Sequence, residues 1–286
     1  MQETGTRRNE EELAKRLKTS LDDSCRPVLF LDSGIGGIPY LLWALEHIEG
    51  EEFVYVADRA HFPYGPRSHE ELEAILVDLV ADLLRRFRPK LVVLACNTAS
   101  VVGLPALRAR YEIPFVGVVP AIKPAASLTR TGVVGLLATE RTLRDFYTDE
   151  LIAAYANGAR VVKVPSPHIV EFVEHRFIDA AEEERRTAVR EAVERCVAQG
   201  ADTIVLGCTH FVFLEAQIRS LAGEHVQVID SREGVGRRLV HLLSYLPCGR
   251  RGPSTASFYL TGRTPPEGRY VRFTRHYGVS FGGVLE

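Results

Sequence analysis

Two cysteines end two similar apolar segments of the chain. Residues 91–98 are Leu-Val-Val-Leu-Ala-Cys-Asn-Thr, and residues 203–210 are Thr-Ile-Val-Leu-Gly-Cys-Thr-His. In both, an apolar run is followed by a small residue, a cysteine, and polar residues that open a helix. A thiol before a helix N-terminus lies at the positive end of the helix dipole, so we expect the pKa of Cys96 and of Cys208 to fall from about 8.5 towards neutrality. A single such cysteine could equally be a small buried hydrophobe, but two in matching settings favour acid–base chemistry.

A glycine-rich turn follows the strand-like residues 27–32, in the stretch Asp32-Ser-Gly-Ile-Gly-Gly. Such a turn lets the backbone approach a ligand and presents N–H groups to an anion. A dinucleotide fingerprint would need glycine at position 39, which is Pro39, and no Gly-Lys-Ser/Thr follows. Asp32 is therefore a candidate acid–base helper or partner for an ammonium group, with capping of the next turn as the structural alternative.

Two further features lie close to these segments. His210, two residues after Cys208, is placed to assist proton transfer, although a lone histidine is more often structural. The stretch His61-Phe-Pro63-Tyr64-Gly65-Pro is a rigid aromatic loop after a strand, and alone it is weak support for a site.

Metal and cofactor chemistry find little support in the sequence. Cys96, Cys208 and His210 could be drawn as zinc ligands, but the short-range ligand pairs usual for zinc are missing from their spacing. Pyridoxal phosphate needs a Schiff-base lysine, and of five lysines only Lys123 follows a strand, with no obvious phosphate cup beside it. We therefore expect no metal and no cofactor.

Strand-like and helical patterns alternate along most of the chain. We predict strands over residues 27–32, 53–57, 91–96, 115–119, 132–138, 160–164, 203–208 and 226–230, with a further strand-like run at 258–260. We predict helices over residues 69–87, 141–156, 182–199 and 212–222. Near-continuous apolar strands separated by helices indicate parallel sheets that are covered on both faces. The predicted fold class is α/β.

The two cysteine segments also suggest an internal repeat. Each is preceded by a strand with a polar end, at Asp32 in the first half and at Thr139 in the second. The simplest interpretation is two related α/β domains, each with a cysteine at the carboxyl end of a strand, where ligands bind in open α/β sheets. The alternative is that apolar strands resemble one another by chance.

Composition limits the function classes. The chain has 286 residues, 46% apolar and 25% charged, with a formal charge of −2. This length predicts about two domains, and the small net charge gives no reason to expect nucleic acid as a ligand. No apolar run is long enough to span a membrane, and residues 1–24 are too polar for a signal peptide. Five cysteines without a paired framework fit a reducing cytoplasm, so we expect a soluble cytoplasmic enzyme.

Six blocks of residues carry a resemblance to a known family. They are Asp32-Ser-Gly-Ile-Gly-Gly37, Asp58-x-x-His-Phe-Pro-Tyr-Gly65, Ala95-Cys-Asn-Thr-Ala-Ser100, Gly117-Val-Val-Pro-Ala-Ile-Lys-Pro124, Leu137-Ala-Thr139 with Thr142, and Leu206-Gly-Cys-Thr-His210. In this order and spacing the chain resembles the glutamate racemase family, within the aspartate/glutamate racemase superfamily. The match runs from about Pro27 to Ser231 and more weakly to the end.

The resemblance implies a two-base mechanism without a cofactor, with glutamate held between two domains. Cys96 would serve D-glutamate and Cys208 would serve L-glutamate, assisted by Asp32, His210 and Glu174. The positions that match substrate-binding residues of the family are Asp32, Ser33, Pro63, Tyr64, Gly65, Asn97, Thr98, Thr139, Thr142, Thr209 and His210. The implied division is an N-terminal extension over 1–26, a first domain over 27–119 plus 237–286 with the C-terminal segment returning to it, and a second domain over 120–236.

The resemblance also implies a role and partners. The product, D-glutamate, is a component of peptidoglycan, so the implied role is cell-wall precursor supply. The expected partners are glutamate, a cell-wall nucleotide precursor as activator, and a second copy of the chain in a homodimer, with no membrane. The alternatives are aspartate racemization or another superfamily activity, and a regulatory protein with reduced catalysis, because some relatives bind DNA gyrase.

One position departs from the family pattern near a substrate-binding residue. Arg141 stands where the family usually has glycine, directly before Thr142. If the turn requires a positive φ, an arginine would strain it and disturb the Thr142 contact.

Overall fold

The computed structural model describes residues 12–14, 26–246 and 252–286. Within these ranges the chain forms a six-stranded and a four-stranded β-sheet, both parallel, so the α/β prediction is confirmed. The strands are β1 (Val28–Asp32), β2 (Glu52–Ala57), β3 (Leu91–Leu94), β4 (Phe115–Gly117), β5 (Val133–Ala138), β6 (Arg160–Pro165), β7 (Thr203–Leu206), β8 (Gln227–Ile229), β9 (Thr255–Thr261) and β10 (Ser280–Leu285).

Helices connect most of the strands. The α-helices with described bounds are α1 (Ile38–His47), α2 (His69–Phe87), α3 (Asn97–Arg110), α4 (Ile122–Leu128), α5 (Glu140–Arg144), α6 (Phe146–Tyr155), α7 (Pro167–His175), α8 (Glu182–Ala198), α9 (Glu215–Ala222), α10 (Arg232–Leu243) and α11 (Gly268–His276). The part of the chain that the structure describes also contains two short 3₁₀ helices, Arg59–His61 and Thr209–Leu214.

The two sheets repeat one strand order. The six-stranded sheet runs β10-β9-β2-β1-β3-β4, and the four-stranded sheet runs β6-β5-β7-β8. Four consecutive strands in each half therefore follow the same path, with the order reversing between β1 and β3 and between β5 and β7. Such a reversal opens a crevice outside the carboxyl ends of the strands, where ligands bind in open α/β sheets. Strands β1, β3 and β7 are buried along their whole length, as expected for sheets covered on both faces.

The C-terminal segment completes the first sheet. Strand β9 contains the predicted run at residues 258–260 and pairs with β2, while β10, which the sequence did not predict, pairs with β9. The sheets thus take their strands from residues 28–117 with 255–285 and from residues 133–229. The division at residues 119 and 237 stays a prediction.

Two predicted helices are wrong in detail. The predicted helix 141–156 is two helices, α5 and α6, because Asp145 adopts an extended conformation and its side chain accepts a hydrogen bond from Tyr147 N, 3.1 Å away. An aspartate in this role begins a new helix. The predicted helix 212–222 is the 3₁₀ helix Thr209–Leu214 followed by α9.

Of the N-terminal extension predicted over residues 1–26, the structure describes residues 12–14 and residue 26. Residues 12–14 are helical, and Ala14 is buried in a hydrophobic core cluster to which both sheets contribute. The rest of the predicted extension lies outside the described residues. Within the described ranges, no helix is long and apolar enough to cross a membrane.

Candidate active site

The carboxyl ends of the inner strands of both sheets meet at one place. Asp32 ends β1, and Cys96 follows β3 at the N-cap position of α3. Cys208 follows β7 at the N-cap position of the 3₁₀ helix Thr209–Leu214. The two sheets are joined there because Thr209 Oγ1 donates a hydrogen bond to Asp32 Oδ2 over 3.2 Å. The structure therefore brings together side chains that are up to 178 residues apart in the chain, counted from Asp32 to His210.

Cys96 lies in the half of the site formed by the first sheet. Its side chain is buried, with Sγ 4.0 Å from Ser33 Oγ. Burial, followed by the charge of Asp32, raises the pKa of Cys96 well above the usual value for a thiol. The prediction that its helix N-terminus lowers this pKa was wrong for Cys96, because desolvation and a nearby carboxylate outweigh the helix dipole. Cys96 is therefore a protonated thiol at neutral pH.

Cys208 lies beside a buried ion pair. His210 Nδ1 is 4.0 Å from Cys208 Sγ, and His210 Nε2 is 3.1 Å from Glu174 Oε2. Burial alone would lower the pKa of His210, but its hydrogen bonds with Cys208 and Glu174 and the charge of Asp32 raise the pKa well above its usual value. Burial would likewise raise the pKa of Glu174, yet hydrogen bonds from His210 and from Ile35 N lower it. His210 is therefore an imidazolium and Glu174 a carboxylate.

Asp32 is fully buried between these two halves. Its Oδ1 accepts a hydrogen bond from Gly34 N over 2.7 Å, and its Oδ2 accepts one from Thr209. Burial raises the pKa of Asp32 from 3.8 to about 6, against the lowering effect of His210. Asp32 is thus charged at neutral pH but gains a proton in mild acid.

Two glycines of the turn after β1 allow this packing. A side-chain carbon at Gly34 would overlap the carboxylate of Glu174, and one at Gly36 would overlap the side chains of His210 and Thr209. The glycine-rich turn therefore serves close approach by the second sheet's side chains, and its backbone donates to Glu174 Oε2 from Ile35 N over 3.0 Å.

Three threonines form a ring of hydroxyl contacts across the two sheets. Thr98 Oγ1 lies 3.0 Å from Thr139 Oγ1 and 3.2 Å from Thr142 Oγ1, and Thr139 lies 3.0 Å from Thr142. Thr139 also caps α5 by accepting from Thr142 N. The expected strain at Arg141 is not observed. Arg141 lies inside α5 without a positive φ, so the Thr142 contact is intact.

Asn97 is buried beside this ring without a hydrogen-bond partner. Its side chain is 2% exposed, and neither Oδ1 nor Nδ2 makes a hydrogen bond within the described residues. An unpaired buried amide costs about 1–3 kcal/mol, so polar groups of this kind in folded proteins are usually satisfied by a ligand or by water. Asn97 is therefore available to a polar ligand in the site.

The aromatic loop lies over the site from the first sheet. Tyr64 is buried, with its hydroxyl donating to Asp58 Oδ2 over 2.7 Å, and Phe62 lies 6.3 Å from the His210 ring, between centroids. The Phe62–Pro63 peptide is cis. A side-chain carbon at Gly65 would lie 3.6 Å from Thr139, so the loop also reaches the second sheet. The aromatic loop thus reaches His210 through Phe62 and Thr139 through Gly65.

Comparison with known proteins places the chain in a family. Residues 44–233 match the family model described as Asp/Glu/Hydantoin racemase. A glutamate racemase of Roseiflexus sp. (strain RS-1) is 44% identical over 223 residues, which are 78% of this chain and 81% of that protein. A glutamate racemase of Deinococcus radiodurans is 39% identical over 265 residues, which are 92% of this chain and 90% of that protein. The chain belongs to the glutamate racemase family.

A solved structure of the glutamate racemase family agrees with this. The Escherichia coli glutamate racemase, in complex with L-glutamate and the activator UDP-MurNAc-Ala, is 33% identical and superposes with a TM-score of 0.80. The alignment covers 91% of this chain and 97% of that one. The chain is accordingly an amino-acid racemase, which is an isomerase.

Sequence reasoning missed one side chain of this racemase site. Tyr270, on α11 of the C-terminal segment, donates a hydrogen bond from its hydroxyl to Glu174 Oε1 over 2.8 Å. The amphipathic pattern of residues 268–276 could have located the helix, but its partner is 96 residues away and no local pattern identifies it. Within the described ranges, no cluster of three or more His, Cys, Asp or Glu side chains has the geometry to hold a metal ion.

Proposed function

We propose that this racemase interconverts L- and D-glutamate by moving the α-proton with Cys96 and Cys208, without a cofactor. The single observation that carries the proposal is the placement of two buried thiols after β3 and β7, in a polar cluster to which both sheets contribute. Each thiol would face one side of the α-carbon. In the forward step, one thiolate removes the proton, and the opposite thiol returns its own proton to the other side.

The surroundings of the two cysteines give them different roles at rest. Cys96 is a thiol because burial and Asp32 raise its pKa, so it is prepared to donate a proton. Cys208 lies next to the His210 imidazolium, whose positive charge would stabilise a thiolate at Cys208. This asymmetry supports the assignment of Cys208 as the base for L-glutamate, with Cys96 as the acid, and the reverse for D-glutamate.

The remaining polar groups suit an amino acid. The unpaired amide of Asn97 and the hydroxyl of Thr98 lie at the N-terminus of α3, where N–H groups favour a carboxylate. The Asp32 carboxylate is suited to the ammonium group. When the α-proton leaves, negative charge develops next to the substrate carboxylate, and fixed donors in a buried site stabilise that charge more strongly than water does. Ser33, Tyr64, Gly65, Thr139, Thr142 and Thr209 complete the proposed substrate shell.

Glutamate is the proposed substrate, rather than aspartate, because the related enzymes named above are glutamate racemases. We propose that D-glutamate made in this way serves as a peptidoglycan precursor. A regulatory protein with reduced catalysis is disfavoured because both cysteines and the His210–Glu174 pair are in place.

The deciding experiment uses protein freed of metal and cofactor by chelation and dialysis. In D₂O, we expect the optical rotation of either glutamate enantiomer to decay to zero while its α-proton exchanges for deuterium. Both enantiomers of aspartate serve as the comparison and should react far more slowly. Unchanged rotation with both glutamate enantiomers would refute the proposal, and faster reaction of aspartate would assign the substrate differently.

We also propose activation by a nucleotide precursor of the cell wall, as the E. coli relative's complex suggests. A cavity of about 390 Å³ is lined by residues 119–124, which belong to one of the signature blocks. Three basic side chains also line it, and they are Arg108, Lys123 and Arg238. The acidic Asp230 also lines the cavity but is paired with Arg232 over 2.7 Å, so the cavity suits a phosphate-bearing ligand.

Adding UDP-MurNAc-Ala is therefore expected to raise the kcat for glutamate at fixed enzyme concentration. Lys123→Ala should abolish this activation and leave the basal rate unchanged, since Lys123 lies outside the cysteine site. Arg85→Ala, which removes an exposed cation on α2, is the matched control and should respond as the unmodified enzyme does. An unchanged kcat in the unmodified enzyme at saturating nucleotide would rule out the activation.

A further inference from the structure

We propose that Tyr270 is a positioning residue for proton transfer by Cys208, acting through Glu174 and His210. The inference rests on the proposed two-cysteine function and extends it to the C-terminal segment. Tyr270 lies on α11, outside the residues assigned to the site from sequence. A continuous series of contacts joins it to the sulfur: Tyr270 to Glu174, Glu174 to His210, and His210 to Cys208.

Both oxygens of Glu174 are occupied, and each by a different kind of partner. Oε2 accepts hydrogen bonds from His210 Nε2 over 3.1 Å and from Ile35 N over 3.0 Å. Among the described residues, Oε1 accepts from Tyr270 alone, over 2.8 Å. Glu174 is buried, so removing that donor would leave Oε1 without a partner and with little access to water.

The neighbouring arginine fixes which way the tyrosine proton points. Arg269 Nη2 donates to Tyr270 Oη over 3.3 Å, and the Arg269 guanidinium stacks on the Tyr270 ring with Cζ 4.8 Å from the centroid. A guanidinium can only donate, so the tyrosine hydroxyl accepts from Arg269 and directs its own proton to Glu174. The contact with Arg269 therefore directs the hydroxyl proton of Tyr270 inward, towards Glu174.

This arrangement has a consequence for one face of the substrate only. A carboxylate held by Tyr270 keeps His210 oriented and charged, and the charged ring stabilises negative charge on Cys208. Cys96 has other neighbours, namely Ser33 and Asp32. Loss of the tyrosine hydroxyl should therefore raise the barrier for proton removal by Cys208 and leave the Cys96 step less affected.

Isotope effects in the two directions can detect this asymmetry. The enantiomers have equal free energies, so any substitution must lower kcat/KM equally for L- and for D-glutamate. For Tyr270→Phe we expect both values to fall about tenfold, the effect of losing one hydrogen bond to a charged group. With α-deuterated L-glutamate, the isotope effect on kcat/KM should rise because the Cys208 step limits the rate more. With α-deuterated D-glutamate, the isotope effect on kcat/KM should fall. In that direction Cys96 removes the deuteron first, and the slowed proton donation by Cys208 then limits the rate.

The matched control is Tyr277→Phe, in the full-length protein. Tyr277 follows the same helix, packs between Phe213 and Phe273, and its hydroxyl makes no hydrogen bond within the described residues. Its isotope effects should equal those of the unmodified enzyme. An isotope effect is a ratio measured on active molecules only, so partial misfolding of either variant does not change it.

Opposite shifts of the two isotope effects in Tyr270→Phe would support the positioning role. Unchanged effects, or effects that shift equally for both enantiomers, would overturn it while leaving the two-cysteine function standing. If the unmodified enzyme itself fails to exchange the α-proton of glutamate, the proposed function fails first, and the two failures are thereby distinguished.

Discussion

Replacing either Cys96 or Cys208 with serine should lower the rate of glutamate racemization by about 10²- to 10⁴-fold, the usual contribution of a positioned acid or base. A serine hydroxyl keeps nearly the same shape as the thiol but is a far weaker acid at neutral pH. In the proposed scheme each cysteine serves one face of the α-carbon, so neither could replace the other. The measurement is the decay of optical rotation from each pure enantiomer, with α-proton exchange followed by NMR.

Cys196→Ala is the matched control for these two variants. Cys196 is also buried, but it lies on α8, where its sulfur packs against Gly135 of β5. Burial raises the pKa of Cys196 to about 12, so it is an inert thiol. The alanine variant should lose some thermal stability through the small cavity it creates, yet keep its racemization rate. Full activity in Cys96→Ser or in Cys208→Ser would contradict the two-base scheme.

The cysteines could be found from sequence because their signal is local. An apolar strand, a small residue, a cysteine and polar helix-opening residues are all within eight positions, and the same pattern occurs twice. Predicted strands agree with β1 to β8 because buried parallel strands are continuous apolar runs. His210 was close enough to Cys208 in sequence to be linked with it.

Other properties of the site depend on residues far apart in the chain and could not be predicted locally. The pKa of Cys96 follows from burial and from Asp32 on another strand, and these reverse the effect expected from its helix. The role of Tyr270 depends on a contact with Glu174 that only the return of the C-terminal segment to β2 creates. The family resemblance identified Glu174 as a site residue, but only the structure shows that Tyr270 donates a hydrogen bond to its Oε1.

The two halves of the site share a strand order but differ in chemistry. Next to Cys208 is a buried chain of charged partners, His210 and Glu174, whereas Cys96 has a hydroxyl and a carboxylate nearby. In the proposed scheme a proton is removed on one face of the α-carbon and supplied on the other, and the two cysteines would meet these tasks with different neighbours. The repeated strand order places each cysteine after an inner strand, and the neighbours of the two sulfurs differ.

The pH dependence of kcat/KM should reflect these charges. Below a pH of about 6, Asp32 gains a proton and would lose the proposed pairing with the substrate ammonium, so the rate should fall about tenfold per pH unit. The pKa of His210 is raised, so its imidazolium is present below that pKa and is lost as the pH rises through it. A second decline is therefore expected on the alkaline side, and it should be absent when position 210 cannot ionise.

His210→Asn tests that alkaline decline and carries the second large effect. The amide keeps a hydrogen bond towards Glu174 but removes the cation beside Cys208, so kcat/KM should fall about 10²-fold. The decline at high pH should disappear, while the acidic decline near pH 6 remains because it belongs to Asp32. His168→Asn, at an exposed histidine on α7, is the control and should keep both the rate and the pH profile.

The free energy of unfolding can separate the contribution of His210 to the fold from its contribution to proton transfer. The single variant leaves the Glu174 carboxylate buried without its cation, and breaking such a pair costs about 3–5 kcal/mol of unfolding free energy. Adding Glu174→Gln removes the unpaired charge, so the double variant should recover most of the stability measured by chemical denaturation. Its racemization should stay as slow as in His210→Asn, because the imidazolium is still missing. Recovery of activity together with stability would show that the pair only holds the fold, and the assignment of His210 to proton transfer would then be wrong.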